Sequence, residues 1–264
     1  SKGCDFGWTS MVSLILIAVI LIFGIAFFRI EKGKEAAFID FKLFKNTTYT
    51  GATVSNFLLN GVAGMLILSL MLLQVGGGLT AQAAGFLTLG YAIAIIAFIR
   101  MGEKLLQRFG PRKPMIWGCI IVGISIALLL PANLMTDTYK VLAIIAFTLF
   151  GIGLAFYATP STDAALSNLP DAQAGAGSGI YKMASSLGAA FGVAISAGIF
   201  VGLSAVDTPA SVLDNVIHFS GRQDNVAIRQ AAMIALFFNL LMVVVAIIVI
   251  MRTIPEFEGK GKTI

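Results

Sequence analysis

Seven long runs of Ile, Leu, Val, Phe, Ala and Gly, nearly free of charge, constrain this chain more than any other feature. They are Met11–Phe28, Gly51–Leu73, Thr80–Ile99, Met115–Leu130, Val141–Thr159, Ser178–Leu203 and Ala231–Met251. An α-helix rises about 1.5 Å per residue, so roughly 20 apolar residues cross the hydrocarbon core of a bilayer. Lipid offers backbone amides no water, and a spanning segment must satisfy them internally, as a helix or a closed barrel. The period-two alternation of barrel strands is absent. The expected fold class is therefore an all-α polytopic membrane protein with seven transmembrane helices. Only 12% of the 264 residues are charged and 58% are hydrophobic, against about 25% charged in soluble domains. That balance excludes a soluble enzyme, a nucleic-acid-binding domain and a disordered tail.

The first run lacks the compact basic start and small-residue cleavage site of a signal peptide. Its first residue being Ser1 rather than Met, the chain is expected to be processed, engineered or excerpted from something longer. Seven spans place the two ends on opposite sides. With the segment after the first span taken as cytoplasmic, fourteen of the 18 Lys and Arg fall inside, and Lys2, Lys140, Arg222 and Arg229 fall outside. The positive-inside rule then predicts an external N-terminus, a cytoplasmic C-terminus and a plasma-membrane location. Lys182 is counted inside, at the start of the sixth span. Gln74–Leu79 reads as a tight external turn. Ala205–Ile228 reads as the longest external segment, with a short surface helix from Thr208-Pro209.

Titratable chemistry is sparse. Cys4 and Cys119 with the single His218 make no metal-ligand spacing, and no metal or cofactor is expected. Every Asp and Glu lies in a loop or at a span end, with Asp163 nearest the membrane interior. Proton pumps usually carry such an acid at mid-depth, so an acid for proton coupling must come from elsewhere or Asp163 must sit deeper than it looks.

The second span carries the polar face. Tyr49, Thr53, Asn56, Asn60 and Gln74 return to one side of a helix, with Gly64, Ile67 and Met71 filling the stripe. This face reads either as one wall of a wet cavity for an amphiphilic ligand or as a set of amides bonding to a neighbouring helix. Asn239, a single amide in the last span, favours the second role. The sixth span repeats small residues every four positions, Ala184, Gly188, Gly192 and Ser196, a pattern that brings helix backbones close together.

The loop between the third and fourth spans, Gly102 to Lys113, contains Gly102, Arg108, Gly110, Arg112 and Lys113. It resembles the G-x-x-x-x-D-R-x-G-R-R/K signature of the major facilitator superfamily, with Gln107 in the place of the usual Asp and Pro111 within the basic turn. Gly7-Trp8-x-Ser10, Phe41-x-Leu43-Phe44, Gln74 with Ala84-Gly85, and Pro160 with Pro170, Gly175, Gly179, Leu187-Gly188 and Gly192 are similar, in order, to the fourteen-helix drug:proton antiporter branch of Gram-positive quinolone and multidrug efflux pumps. Gly90 replaces an often-seen Pro, and Val193 stands where a Pro often follows the glycine motif.

The resemblance implies that residues 1–48 form the eighth helix and a cytoplasmic linker, and residues 49–264 the six-helix C-terminal lobe. It implies secondary transport by alternating access, exporting amphiphilic or cationic drugs in exchange for protons. The N-terminal lobe of the same transporter would be the partner and would carry the essential acids. Thr53, Asn56, Phe57, Asn60, Met65, Phe147 and Asn239 would then contribute to the substrate cavity. Gly102, Arg108, Gly110, Arg112 and Lys113 would form a cytoplasmic gating latch, and Gly188, Gly192 and Ser196 a packing seam. A half-transporter or assembly module, inactive without a partner lobe, stays open beside this reading. A seven-helix receptor or membrane enzyme fits less well, since no mid-membrane Lys and no His/Asp/Glu cluster is evident in the sequence.

Overall fold

The computed structural model describes residues 11–32, 41–134, 136–204 and 225–256. Cys4, the Gly7-Trp8-x-Ser10 stretch, His218 and the surface helix expected from Thr208 lie outside those residues. The described elements are all helical. We number the long helices α1 (Met11–Lys32), α2 (Thr47–Gly76), α3 (Ala81–Phe109), α4 (Arg112–Leu129), α5 (Thr136–Leu166), α6 (Asp171–Ser204) and α7 (Val226–Thr253). Helices α2 to α7 are long and apolar enough to cross a membrane, and α1 has a shorter apolar stretch, Leu14–Ala26.

Most helices outrun the apolar stretches that predict them, because apolarity marks the bilayer core and not the helix ends. Helix α6 begins at Asp171, before the first residue of the apolar run at Ser178, so Lys182 lies well inside the helix rather than at its start. Helix α5 continues through Pro160 to Leu166. A proline removes one N–H, whereas breaking the helix in an apolar surrounding would strand several backbone groups.

The six longer helices form two layers. Helices α3, α5, α2 and α6 make the front, through the contacts α3–α5, α5–α2 and α2–α6. Helices α4 and α7 back them, α4 against α5 and α7 against α2, α4 and α6. The core between the layers holds Leu59, Met65, Met115, Ile126, Phe147, Phe150 and Leu236, together with Leu43 from the short turn Phe41–Lys45 that precedes α2. Along α1, by contrast, residues 14–26 are exposed throughout.

The α2–α6 seam is made by missing side chains. A Cβ on Gly188 would strike the Phe57 carbonyl, and one on Gly192 would strike the backbone of Gly61. From the other side, a Cβ on Gly64 would sit 2.7 Å from Ser196 Oγ and 2.8 Å from the Gly192 carbonyl. Gly188, Gly192 and Ser196 are buried. Backbones that touch gain dispersion contacts that lipid chains do not supply.

Helix α2 is not uniform. The Ala63, Met65 and Leu66 amides donate to the Asn60, Val62 and Ala63 carbonyls, three residues back, at 2.9–3.1 Å. Such tight turning advances the helix by about 120° per residue instead of 100° and shifts the phase of everything beyond it. At its far end Leu72–Gly76 widens into a π turn, and Gly78 at φ 69° reverses the chain.

Candidate substrate cavity

The front layer carries an open cavity of about 230 Å³, lined by α2, α3, α5 and α6 and by neither backing helix. Asn56 and Asn60 form its α2 wall. They lie nine and thirteen residues from the start of α2 at Thr47, roughly 14 and 20 Å along the axis. Ile95, Ile99 and Leu154 supply an apolar wall, and Tyr157, Thr162, Tyr181, Lys182 and Ser185 a polar one.

The two amides are fixed by a shared network. Asn56 Nδ2 donates to the Tyr181 carbonyl at 3.1 Å and to Ser185 Oγ at 2.6 Å. Asn60 Nδ2 donates to the Asn56 carbonyl and to Asn56 Oδ1, both at 2.8 Å. Below this layer the Ser55 and Tyr157 hydroxyls meet at 2.7 Å, and the Tyr181 hydroxyl donates to Ser161 Oγ at 2.8 Å. Tyr49 closes the end of the α2–α6 interface, its hydroxyl donating to the Gly177 carbonyl at 2.9 Å. Buried hydroxyls and amides demand partners, and here those partners hold α2, α5 and α6 at fixed spacing around the cavity.

Of the residues that the sequence points to, Asn56 and Asn60 come together at the cavity; the others do not line it. Thr53, Met65 and Phe147 are buried between helices. Phe57 packs its ring against Phe191 of α6, with centroids 6.2 Å apart. Asn239 is fully buried, and its Nδ2 donates to Ser196 Oγ at 2.9 Å and to the Ala235 carbonyl at 2.8 Å. The polar stripe divides because the tight turn after Asn60 rotates Gly64 onto the α6 seam and leaves Ile67 exposed.

Sequence reading missed Lys182, Ser185, Tyr181, Tyr157 and Thr162. For Lys182 a signal was present: it is a cation within the apolar run Ser178–Leu203, and an ionisable residue in such a run points to function by default. The remaining four became recognisable only once α5 and α6 were placed beside α2.

The loop after α3 is a compact basic turn. Gly110 ends α3 at φ 71°, a conformation glycine adopts without strain. Gly102 is buried where a Cβ would strike the Ala155 carbonyl of α5. Arg112 donates to the Met251 carbonyl at 3.0 Å and pairs with Glu256 at 3.0 Å, so the start of α4 grips the end of α7. A cation among the free carbonyls of a helix C-terminus is favourable. Arg108 and Lys113 are exposed and lie over the Phe109 ring, at 5.1 and 6.0 Å from its centroid. Asp163 stands one turn before the end of α5, half-buried. Among the described residues no group of three His, Cys, Asp or Glu could hold a metal.

Residues 4–193 match the Major Facilitator Superfamily. Over 256 residues the chain is 40% identical to the quinolone resistance protein NorB of Staphylococcus aureus strain MRSA252, covering 97% of this chain and 51% of that protein. Identity and coverage are the same for the NorB proteins of strains COL and bovine RF122 / ET3-1. The chain thus spans about half the length of the curated relatives it matches. A family match over most of the chain, on six membrane-length helices packed in two layers, makes this protein a member of the major facilitator superfamily.

Proposed function

We propose that this chain is the C-terminal part of a bacterial multidrug exporter, in which residues 49–264 form one lobe of an alternating-access pump. Residues 1–48 supply a preceding helix and linker. The observation that carries the reading is the cavity itself: polar groups from α2, α5 and α6 face an apolar wall from α3 and α5, the surface an amphiphile requires. The name of the relatives, quinolone resistance protein, suggests the class of compound. Protons entering down their gradient drive export, and the acid that carries them is assigned to an N-terminal lobe, because the lining of this cavity holds no carboxylate among the described residues. The basic turn at Arg108–Lys113 faces the cytoplasm, a placement the distribution of cations supports. It acts as a latch between states, with Arg112 holding α4 to α7 in the closed arrangement.

Vesicles with an imposed pH gradient test this. The complete transporter carrying this chain should export a fluorescent amphiphile only while the gradient lasts, and this chain alone should not. Export unaffected by collapse of the gradient would remove the antiport mechanism. Gradient-driven export by the chain alone would remove the need for a partner lobe.

A further inference from the structure

Among the described residues the cavity has one charged lining residue, and it is a cation. Lys182 lies eleven residues into α6, roughly 16 Å from its first residue. Among the described residues it has neither an ion-pair partner nor a hydrogen-bond acceptor, and it is exposed at the lining of the open cavity. Ser185 stands three positions on, on the same helix face. Its Oγ accepts from Asn56 at 2.6 Å, which turns the hydroxyl proton away from Asn56. An ammonium and a hydroxyl donor are thereby presented side by side, opposite the apolar surface of Ile95, Ile99 and Leu154. Donors without acceptors suit an anion, and an unpaired ammonium repels a cation at close range. We propose that Lys182 is a specificity-determining residue that takes the carboxylate of an amphiphilic substrate, with Ser185 as second donor, so that the site prefers anionic or zwitterionic amphiphiles to simple cations.

The proposal rests on the transport reading above for its physiological meaning, but binding tests it separately. The complete transporter, purified in detergent, is titrated with 1-pyrenebutyrate, its methyl ester and 1-pyrenemethylammonium, which share one ring system and differ in charge. The wild type should bind the acid most tightly. Lys182→Gln should weaken the acid at least tenfold, leave the ester within twofold and improve the ammonium. Lys182→Arg should retain the acid, which shows that a cation is needed and that the variant folds. The same series in energised vesicles should reproduce that order as changes in KM. Equal weakening of all three probes by Lys182→Gln, or no change for the acid, overturns the assignment. If no probe is exported by the wild type while the binding order holds, the transport reading fails and the charge assignment stands.

Discussion

Asn56 of α2 donates to Ser185 of α6 at 2.6 Å, the shortest tie between the two helices at the cavity wall. The same amide reaches the Tyr181 carbonyl, so one side chain fixes both the spacing of the helices and the direction in which Ser185 points its proton. Asn56 therefore both ties the helices and lines the cavity, whereas the amide of Asn60 acts mainly on Asn56.

Asn56→Ala should lower thermal stability in detergent by about 0.6–2 kcal/mol, the range for an interhelical hydrogen bond in a membrane, and should reduce export. Asn60→Ala should reduce export with a smaller change in melting temperature. Efflux that survives replacement of both would assign the two amides to packing alone.

Gly192→Ala should destabilise the lobe by about 1–3 kcal/mol, because the added methyl meets the Gly61 backbone and no flexible side chain can yield. Gly175→Ala and Gly179→Ala, on the same helix but with open space around them, should change little. The melting temperatures of the detergent-solubilised variants, compared side by side, check this. Equal tolerance at all three positions would contradict the seam.

Arg112 and Glu256 form an ion pair in which Glu256 is largely exposed. Such pairs contribute little, and Glu256→Gln should shift stability by less than about 0.5 kcal/mol. Arg112→Gln also loses the charge at the Met251 carbonyl and should cost about 1 kcal/mol. Arg108→Ala, away from this clamp, should lower the maximal export rate while leaving KM within twofold. A pure rise in KM for Arg108→Ala would argue against the latch.

Topology is open to labelling. Lys113→Cys, exposed at the start of α4, should react with a membrane-impermeant maleimide in inside-out vesicles and stay unreactive in right-side-out ones. The labelling is done in a Cys4→Ser background, because Cys4 would otherwise react on its own account; Cys119 is buried and should add no background. The reverse pattern would invert the orientation.

Elements whose identity depends on their solvent were legible in the sequence. Lipid leaves a run such as Ala231–Met251 no alternative to a helix, and small residues at four-residue spacing, Gly188, Gly192 and Ser196, mark the seam that α6 makes with α2. The site was less legible. Asn56 and Asn60 stood out as amides in an apolar run, but the partners that give them meaning, Tyr181 and Ser185, are about 125 residues away. The expected face failed beyond Asn60 because no residue type signals a switch from four-residue to three-residue bonding within a continuous apolar helix. Lys182 reads as a flanking residue in the sequence because an apolar run says where lipid begins and not which way a side chain opens.

The glycine contact between α2 and α6 has an evolutionary corollary. Two main chains already touching leave little room for adjustment, since even one added methyl must push a backbone aside. If the cavity takes substrate as proposed, change in what it accepts is thereby channelled away from the scaffold and toward the residues bordering the void, and the framework stays as it was.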